Sequence, residues 1–527
     1  MKQGLGLLGI LGWLLSVQLA YSVSDTSKRL PVPPAGVAEL VQATANDLPD
    51  GPKTEGRSGD YVLRNRLATF VIAGNRPTHG YGRFGGRLID AVRHEEGRQR
   101  DFLGEQFFGI TDSRGLLFAR TLRPTAFEVV SAGGAGKPAI LRVQMTDERL
   151  PLIDQTTRLP SQPLGVQATL TYTLEPDSPT LLIEARLQNT GDRPQSYMLI
   201  LAWIQDDGMQ MYLPPFGNAK AAQGVGAGAG ALALVQTLRG AIPYAAAVSH
   251  TLSYGLIPEG EQFPIVQKVQ DIYLFTLLAG ARTEPNGSAT ARWAFTVGAG
   301  ETETVRAERD RWHSRISEQT LVQGVVQCNT GAPLDNARVY IFQQNGGAEQ
   351  FVTVVRTDAQ GRFAARLPQG EYRAMAFADY RTPQEFRFSA PTSVLPSVSL
   401  PEPAQLRLRA TDLLDQPMPT TVVFERLDEP RVRAQRLLYG EEGNYGNWTR
   451  VHYSLTGDET LLVEPGRYRI TLLRGFEYEI AQQEFDLKAG DRAEFTARLA
   501  LTAPLEGYLS GDYHLHTLAS PDSFDFF

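Results

Sequence analysis

One cysteine, Cys328, stands in 527 residues, so no disulfide can form within the chain whatever its compartment. It follows Val325-Val326-Gln327 in an alternating apolar pattern and reads as a small packing residue. Basic residues are not in excess: 51 stand against 58 acidic ones, for a net charge of −7. That balance offers nothing to hold a phosphate backbone and excludes nucleic acid as the expected partner. There is no Gly-x-Ser-x-Gly elbow, so a serine hydrolase has no nucleophile to start from. Gly133-Gly-Ala-Gly-Lys137 is followed by Pro138 where a phosphate loop requires Ser or Thr, and reads as a turn. The glycine run Gly224 to Gly230 lacks the strand–helix–strand setting of a dinucleotide site and reads as a loop or a closely packed backbone. No apolar run reaches the ~20 residues that span a bilayer.

What is present points to several β domains. Hydrophobic residues are 42% and charged residues 21%, enough for buried cores. The 50 glycines and 33 prolines favour many turns. The length suggests about three or four domains. Residues 1–22 read as a signal peptide: Lys2 supplies the charge, Leu5 to Leu19 is largely apolar, and Ala20-Tyr21-Ser22 puts small residues where a peptidase cuts. The expectation is an exported bacterial protein, periplasmic or secreted, with no stable membrane span after cleavage.

From residue 37 to 316 the text reads as strand after strand. Val166, Ala168, Leu170, Tyr172 and Leu174 alternate with Gln167, Thr169, Thr171 and Thr173. Leu181, Ile183, Ala185 and Leu187 alternate with Glu184, Arg186 and Gln188. Period two predicts half-buried antiparallel strands, here of a large two-sheet sandwich. Val305 to Ile316, free of Gly and Pro, predicts a short helix closing that domain. In residues 320–390, Thr357-Asp358-Ala359-Gln360-Gly361-Arg362-Phe363 places a glycine where a tight hairpin needs positive φ. Pro333 to Ile341 and Leu367-Pro368-Gln369-Gly370-Glu371-Tyr372 flank it. This string resembles the carboxypeptidase regulatory-like (transthyretin-like) domain, which implies a seven-strand sandwich and no peptidase activity. Residues 391–404, with Pro391, Pro396, Pro401 and Pro403, predict a stiff linker. Residues 405–500 predict a third sandwich, sharing with the second a Gly-x-Tyr strand start at Gly370 and Gly466.

The chemistry lies in residues 507–527. Gly511-Asp512-Tyr513-His514-Leu515-His516-Thr517 puts two imidazoles at i and i+2, one face of a strand, where both can reach one metal. With 7 histidines in 527 positions, chance supplies roughly 0.09 such pairs. Asp512 and Asp522 would orient the ligands or associate with the metal. This text, with Ser520-Pro521-Asp522-Ser523 after it, resembles the opening motif of the PHP (polymerase and histidinol phosphatase) metallohydrolases. The exported β domains upstream, Gly475-Phe-Glu-Tyr478 in a late strand and Gly507-Tyr508 resemble the CehA/McbA-type branch. The resemblance implies a distorted (β/α) barrel with two or three divalent ions, zinc, manganese or iron. Those ions activate water against a phosphoester, ester, amide or carbamate. The further ligands such a barrel needs do not follow His516 within the chain, so the expectation is an accessory region with the truncated start of a barrel, not catalytic alone.

The expected fold class is therefore mainly β: a large supersandwich-like N-terminal domain, two small immunoglobulin/transthyretin-like sandwiches and the start of a PHP barrel. The competing expectation is an exported sandwich protein that binds carbohydrate, another small molecule or a protein surface, its sign being an open face of aromatics such as Tyr81, Phe84, Trp203, Tyr212 and Phe216. His79, His94, His250, His313 and His452 are scattered singly and read as satisfied or surface histidines. Asp206-Asp207-Gly208 reads as a turn rather than a calcium loop.

Overall fold

The computed structural model describes residues 29–51, 53–94, 100–112, 114–150, 162–204, 209–220, 224–226, 235–249, 251–269, 272–315, 318–391, 396–427, 439, 441, 449–502 and 507. Residues 1–22, expected to be a signal peptide, lie outside the described residues, and no helix among those described is long and apolar enough to cross a membrane. Strands make up 58% of the described residues and helix 4%, so the mainly β class holds.

Between Val37 and Gly298 the described residues form eighteen strands joined in one hydrogen-bonded network. Val166–Leu174 and Thr180–Asn189 pair antiparallel with Leu170 opposite Ala185, and each buries alternate side chains as its period predicts. Thr180–Asn189 also pairs with Ser288–Gly298, whose other edge takes Ser253–Pro258. A second run of pairings joins Gln106–Thr111, Gln195–Ile204 and Ile272–Thr283. The two runs pack face to face. Trp203 meets Phe295 at 5.7 Å between ring centroids, and Phe108 meets Trp293 at 5.9 Å. Gly133 to Lys137 is the turn expected, between the strands Arg120–Ala135 and Lys137–Arg149. Gly224–Gly226 is a short strand against Gln236–Leu238, and the rest of that glycine run lies outside the described residues.

The expected helix spans Thr302–Trp312, with Glu303 in its first turn and Arg309 and Arg311 in its last, each charge opposing the helix dipole. It starts three residues earlier than its composition suggests because the turn at Gly298–Gly300 already releases the chain from the sheet. Val305 packs so closely on the sheet that a Cβ at Gly255 would stand 2.3 Å from it. The opposite side carries charge. Arg306 bridges Glu303 at 2.7 Å and Asp310 at 2.9 Å, and donates to the carbonyl of Arg366 in the next unit.

Residues 320–400 form the seven-strand sandwich expected, in sheets of three and four strands. The stretch 391–404 is not simply a linker. Ser397–Leu400 pairs in parallel with Val325 to Cys328 and completes the smaller sheet. Pro391, Pro396, Pro401 and Pro403 flank this strand rather than interrupt it, so no ladder bond is lost to a missing N–H. The third sandwich, from Ala404 to Arg498, repeats the topology of the second, including the parallel pair, Ala404–Thr411 with Arg492–Arg498. The Gly-x-Tyr starts have the same role in both: Tyr372 Oη donates to Pro368 O at 2.6 Å, and Tyr468 Oη to Glu464 O at 2.9 Å. Gly475 to Tyr478, expected within a strand, is instead a turn with Gly475 at φ +103° and Phe476 fully exposed.

Gly361 has φ +71°, and a Cβ there would stand 2.4 Å from Val326 O. Gly361→Ala is therefore expected to destabilise the second sandwich by about 1–3 kcal/mol, seen as a lower urea midpoint; an unchanged midpoint would contradict that close approach.

Candidate functional site

His514, His516, Asp512 and Asp522 lie outside the described residues, as do His250 and Asp206-Asp207-Gly208. Among the described residues no group of three or more His, Cys, Asp or Glu is placed to hold a metal ion. Of the remaining histidines, which are apart from one another, His79, His94 and His452 are each engaged singly, whereas His313 lies beside Trp312 with its Nε2 buried and making no hydrogen bond among the described residues. His79 meets Arg57 at 3.0 Å, His94 meets Thr69 at 2.8 Å, and His452 meets Glu459 at 3.0 Å. Cys328 is buried, with its thiol 3.3 Å from an Arg381 nitrogen.

The five aromatics do not form an open face. Trp203 and Tyr212 lie in strands rather than loops and are buried, and Tyr81, Phe84 and Phe216 are half-buried. Alternation in these short, strongly apolar strands carries both kinds of ring inward.

The concentration of chemically unusual groups is instead a set of carboxylates in the first domain. Asp90 sits in the apolar strand Leu88–Arg93, and Asp101 and Glu105 lie just before Gln106–Thr111. Asp90 accepts from Glu55 N at 2.7 Å and Gly56 N at 2.8 Å. Asp101 accepts from Ala91 N at 2.9 Å and Leu103 N at 3.2 Å, and its Oδ1 lies 3.0 Å from Tyr254 Oη. Glu105 accepts from Tyr81 N and Gly82 N at 2.9 and 2.7 Å, with Arg87 3.7 Å away. Asp60 receives Gly74 N at 2.7 Å and both Nε and Nη2 of Arg76, at 2.9 and 2.7 Å.

Asp90 and Asp101 are both fully buried. Burial pushes the Asp90 carboxyl well up, and the neighbouring Asp101 charge adds to the rise. Burial likewise raises Asp101, to about 7, against its hydrogen bonds. The local geometry agrees. Tyr254 Oη lies 2.8 Å from Ala91 O, which can only accept, and it accepts in turn from Phe102 N at 2.9 Å. Its single proton serves both Ala91 O and Asp101 Oδ1, and both bonds are complete only when Asp101 carries a proton of its own. Glu105 is raised by burial too, with Arg87 opposing.

No substrate reaches carboxylates so enclosed. What they do is fasten the loops 53–60 and 74–87 through backbone N–H groups, while burial raises the Asp90 and Asp101 carboxyls together. A sequence signal for Asp90 existed: it is the one acid in Leu88-Ile89-Asp90-Ala91-Val92. Its partners, Glu55, Asp101 and Tyr254, carry no such mark.

The sign of the pH dependence follows. An unfolded aspartate ionises near its ordinary value of 3.8, while Asp101 holds its proton to about 7. Between those values the native state binds more protons, so this group makes stability fall as pH rises from about 4 to 7. Asp101→Asn is expected to flatten that part of the profile, measured as urea midpoints at intervals across the range; an unaltered slope would show that Asp101 ionises normally.

Against known proteins, a search of curated sequences finds no match. The chain is similar in structure to a protein from Synechocystis sp., at 13% identity over 46% of this chain and 97% of the other, with a TM-score of 0.26. It is similar to a putative aldose 1-epimerase from Klebsiella pneumoniae, at 12% identity, 53% and 87% coverage and a TM-score of 0.30. It is also similar to the GH36 alpha-galactosidase AgaA from Geobacillus stearothermophilus, at 12% identity over 51% of this chain and a TM-score of 0.31, and spans 45% of that enzyme. Residues 321–410 match the carboxypeptidase regulatory-like domain, a match that covers the second sandwich and runs on into the first strand of the third, Ala404–Thr411.

Proposed function

We propose that the three β units form the accessory region of an exported, metal-dependent hydrolase of the PHP type, whose first metal ligands are His514 and His516. The observation that carries this reading is the text Gly511-Asp-Tyr-His-Leu-His-Thr517, which begins nine residues after Thr502, at the exit of the third sandwich. Two imidazoles at i and i+2 with Asp512 and Asp522 nearby are a donor set suited to borderline divalent ions such as zinc, manganese or iron. In a complete site such an ion would activate water for attack on a phosphoester, or on an ester, amide or carbamate. His514 and His516 would hold the ion, and Asp512 and Asp522 would orient them. The sandwiches upstream would hold or select the substrate.

The test uses the chain of residues 1–527 freed of metal and titrated with Zn²⁺ or Mn²⁺. Two histidines without the rest of the site bind weakly, so the expected result is weak binding of about one ion per chain, weakened at least ~10-fold further in His514→Ala and in His516→Ala. Turnover of p-nitrophenyl phosphate is not expected, since two histidines fall short of the three protein ligands of a catalytic zinc site. Equal binding by the chain and both variants sinks the assignment.

A further inference from the structure

Among the described residues, two side chains leave the third sandwich and pack on the rest of the molecule. Tyr439 and Glu441 belong to the connection between its strands Thr420–Arg426 and Thr449–Ser454. Both are buried, against the second sandwich and the first domain rather than their own. The Tyr439 ring stands edge-on to Tyr340 at 5.1 Å and to Phe342 at 5.6 Å, and lies 5.0 Å from Phe377. Its hydroxyl accepts from Arg373 Nη1 at 3.0 Å, and its carbonyl accepts from Tyr212 Oη, of the first domain, at 2.8 Å.

Glu441 makes a two-pronged pair with Arg338, at 2.7 Å to Nε and 2.9 Å to Nη2, and accepts from Tyr340 Oη at 2.7 Å. Burial opposes its ionisation, but Arg338 outweighs that and holds the carboxyl below its usual range. The receiving surface is thus an aromatic box with a guanidinium at each end. Arg373 is held by Glu349 at 2.6 and 2.7 Å and stacks 4.7 Å over Phe342. Arg338 also reaches Asp379 at 3.0 Å. An aromatic ring with a hydroxyl fills the box, and a carboxylate two positions along meets the fork of Arg338, the geometry for which arginine is suited.

We infer that Tyr212, Arg338, Tyr340, Phe342, Arg373 and Phe377 form a recognition pocket for a Tyr-x-Glu segment, which the chain fills in cis with Tyr439 and Glu441 as a latch. Among the described residues no strand of the third sandwich packs broadly on a strand of the other units, and the covalent joint between the sandwiches is Pro401-Glu402-Pro403. The latch therefore sets how the third sandwich is held relative to the first domain. This holds whether or not His514 and His516 bind a metal.

The test supplies the segment in trans. In the full chain carrying Tyr439→Ala and Glu441→Ala together, a labelled synthetic peptide of residues 434–444 is titrated by fluorescence anisotropy. The expected result is saturable binding, weakened at least ~10-fold when either the tyrosine or the Glu441 position of the peptide is alanine. The wild-type chain, its pocket filled, should bind the peptide at least ~10-fold more weakly than the latch-free chain. A folded latch-free chain that ignores the peptide, or binds all three peptides alike, overturns the inference. Should the double variant fail to fold, Glu441→Gln is measured by small-angle scattering. A larger radius of gyration than wild type, with cooperative unfolding retained, supports the latch, and an unchanged radius overturns it.

Discussion

The strand Ser288–Gly298 is the constraint on which the larger part of the molecule depends. It pairs with Thr180–Asn189 on one edge and with Ser253–Pro258 on the other. One face sends Trp293, Phe295 and Val297 into the core, where Phe295 meets Trp203 from the opposing layer. The other face carries Arg292, paired with Glu184 and Glu259, then Ala294 and Thr296 beneath the helix. Thr296 and Thr180 are bonded at 2.9 Å, and Thr180 also reaches Glu308 of the helix. Because side chains alternate strictly, a slip of one residue would turn Arg292 into the core and press Phe295 against the helix where only Ala294 and Thr296 fit, so the register is held from both faces.

The helix carries that registration onward. Thr302 Oγ1 accepts from Val354 N at 2.7 Å, Glu303 accepts from Arg366 N at 2.9 Å, and Tyr244 of the first domain donates to Val352 O at 3.2 Å. Charges at these junctions are buried but not isolated: Arg306 lies between Glu303 and Asp310, and Arg338 faces Glu441. Such pairs add little net stability compared with apolar packing, yet removing one partner is costly, so they punish wrong arrangements of the units more than they reward the right one. The carboxylates of the first domain follow the same logic, with loop N–H groups in place of guanidinium.

The sequence by itself determined the local elements. Alternation marked Val166–Leu174 and Thr180–Asn189, and Gly370 and Gly466 marked strand starts; Asp358 to Gly361 marked a tight turn that needs glycine, but instead of closing the hairpin expected it carries the chain from the four-stranded sheet to the three-stranded one. These features are written in neighbouring residues because they arise from side-chain direction and backbone sterics over a few positions. The strand Ser397–Leu400 was hidden among prolines, whose effect depends on whether a ladder needs their N–H, and that is known only once Val325 to Cys328 lies beside it. Tertiary structure alone brought Asp90 to Asp101 and Tyr254, and Glu441 to Arg338, across 103 positions of chain. A lone acid or arginine reads the same on a surface as in a core, since its cost and its partner are set by what the fold packs around it.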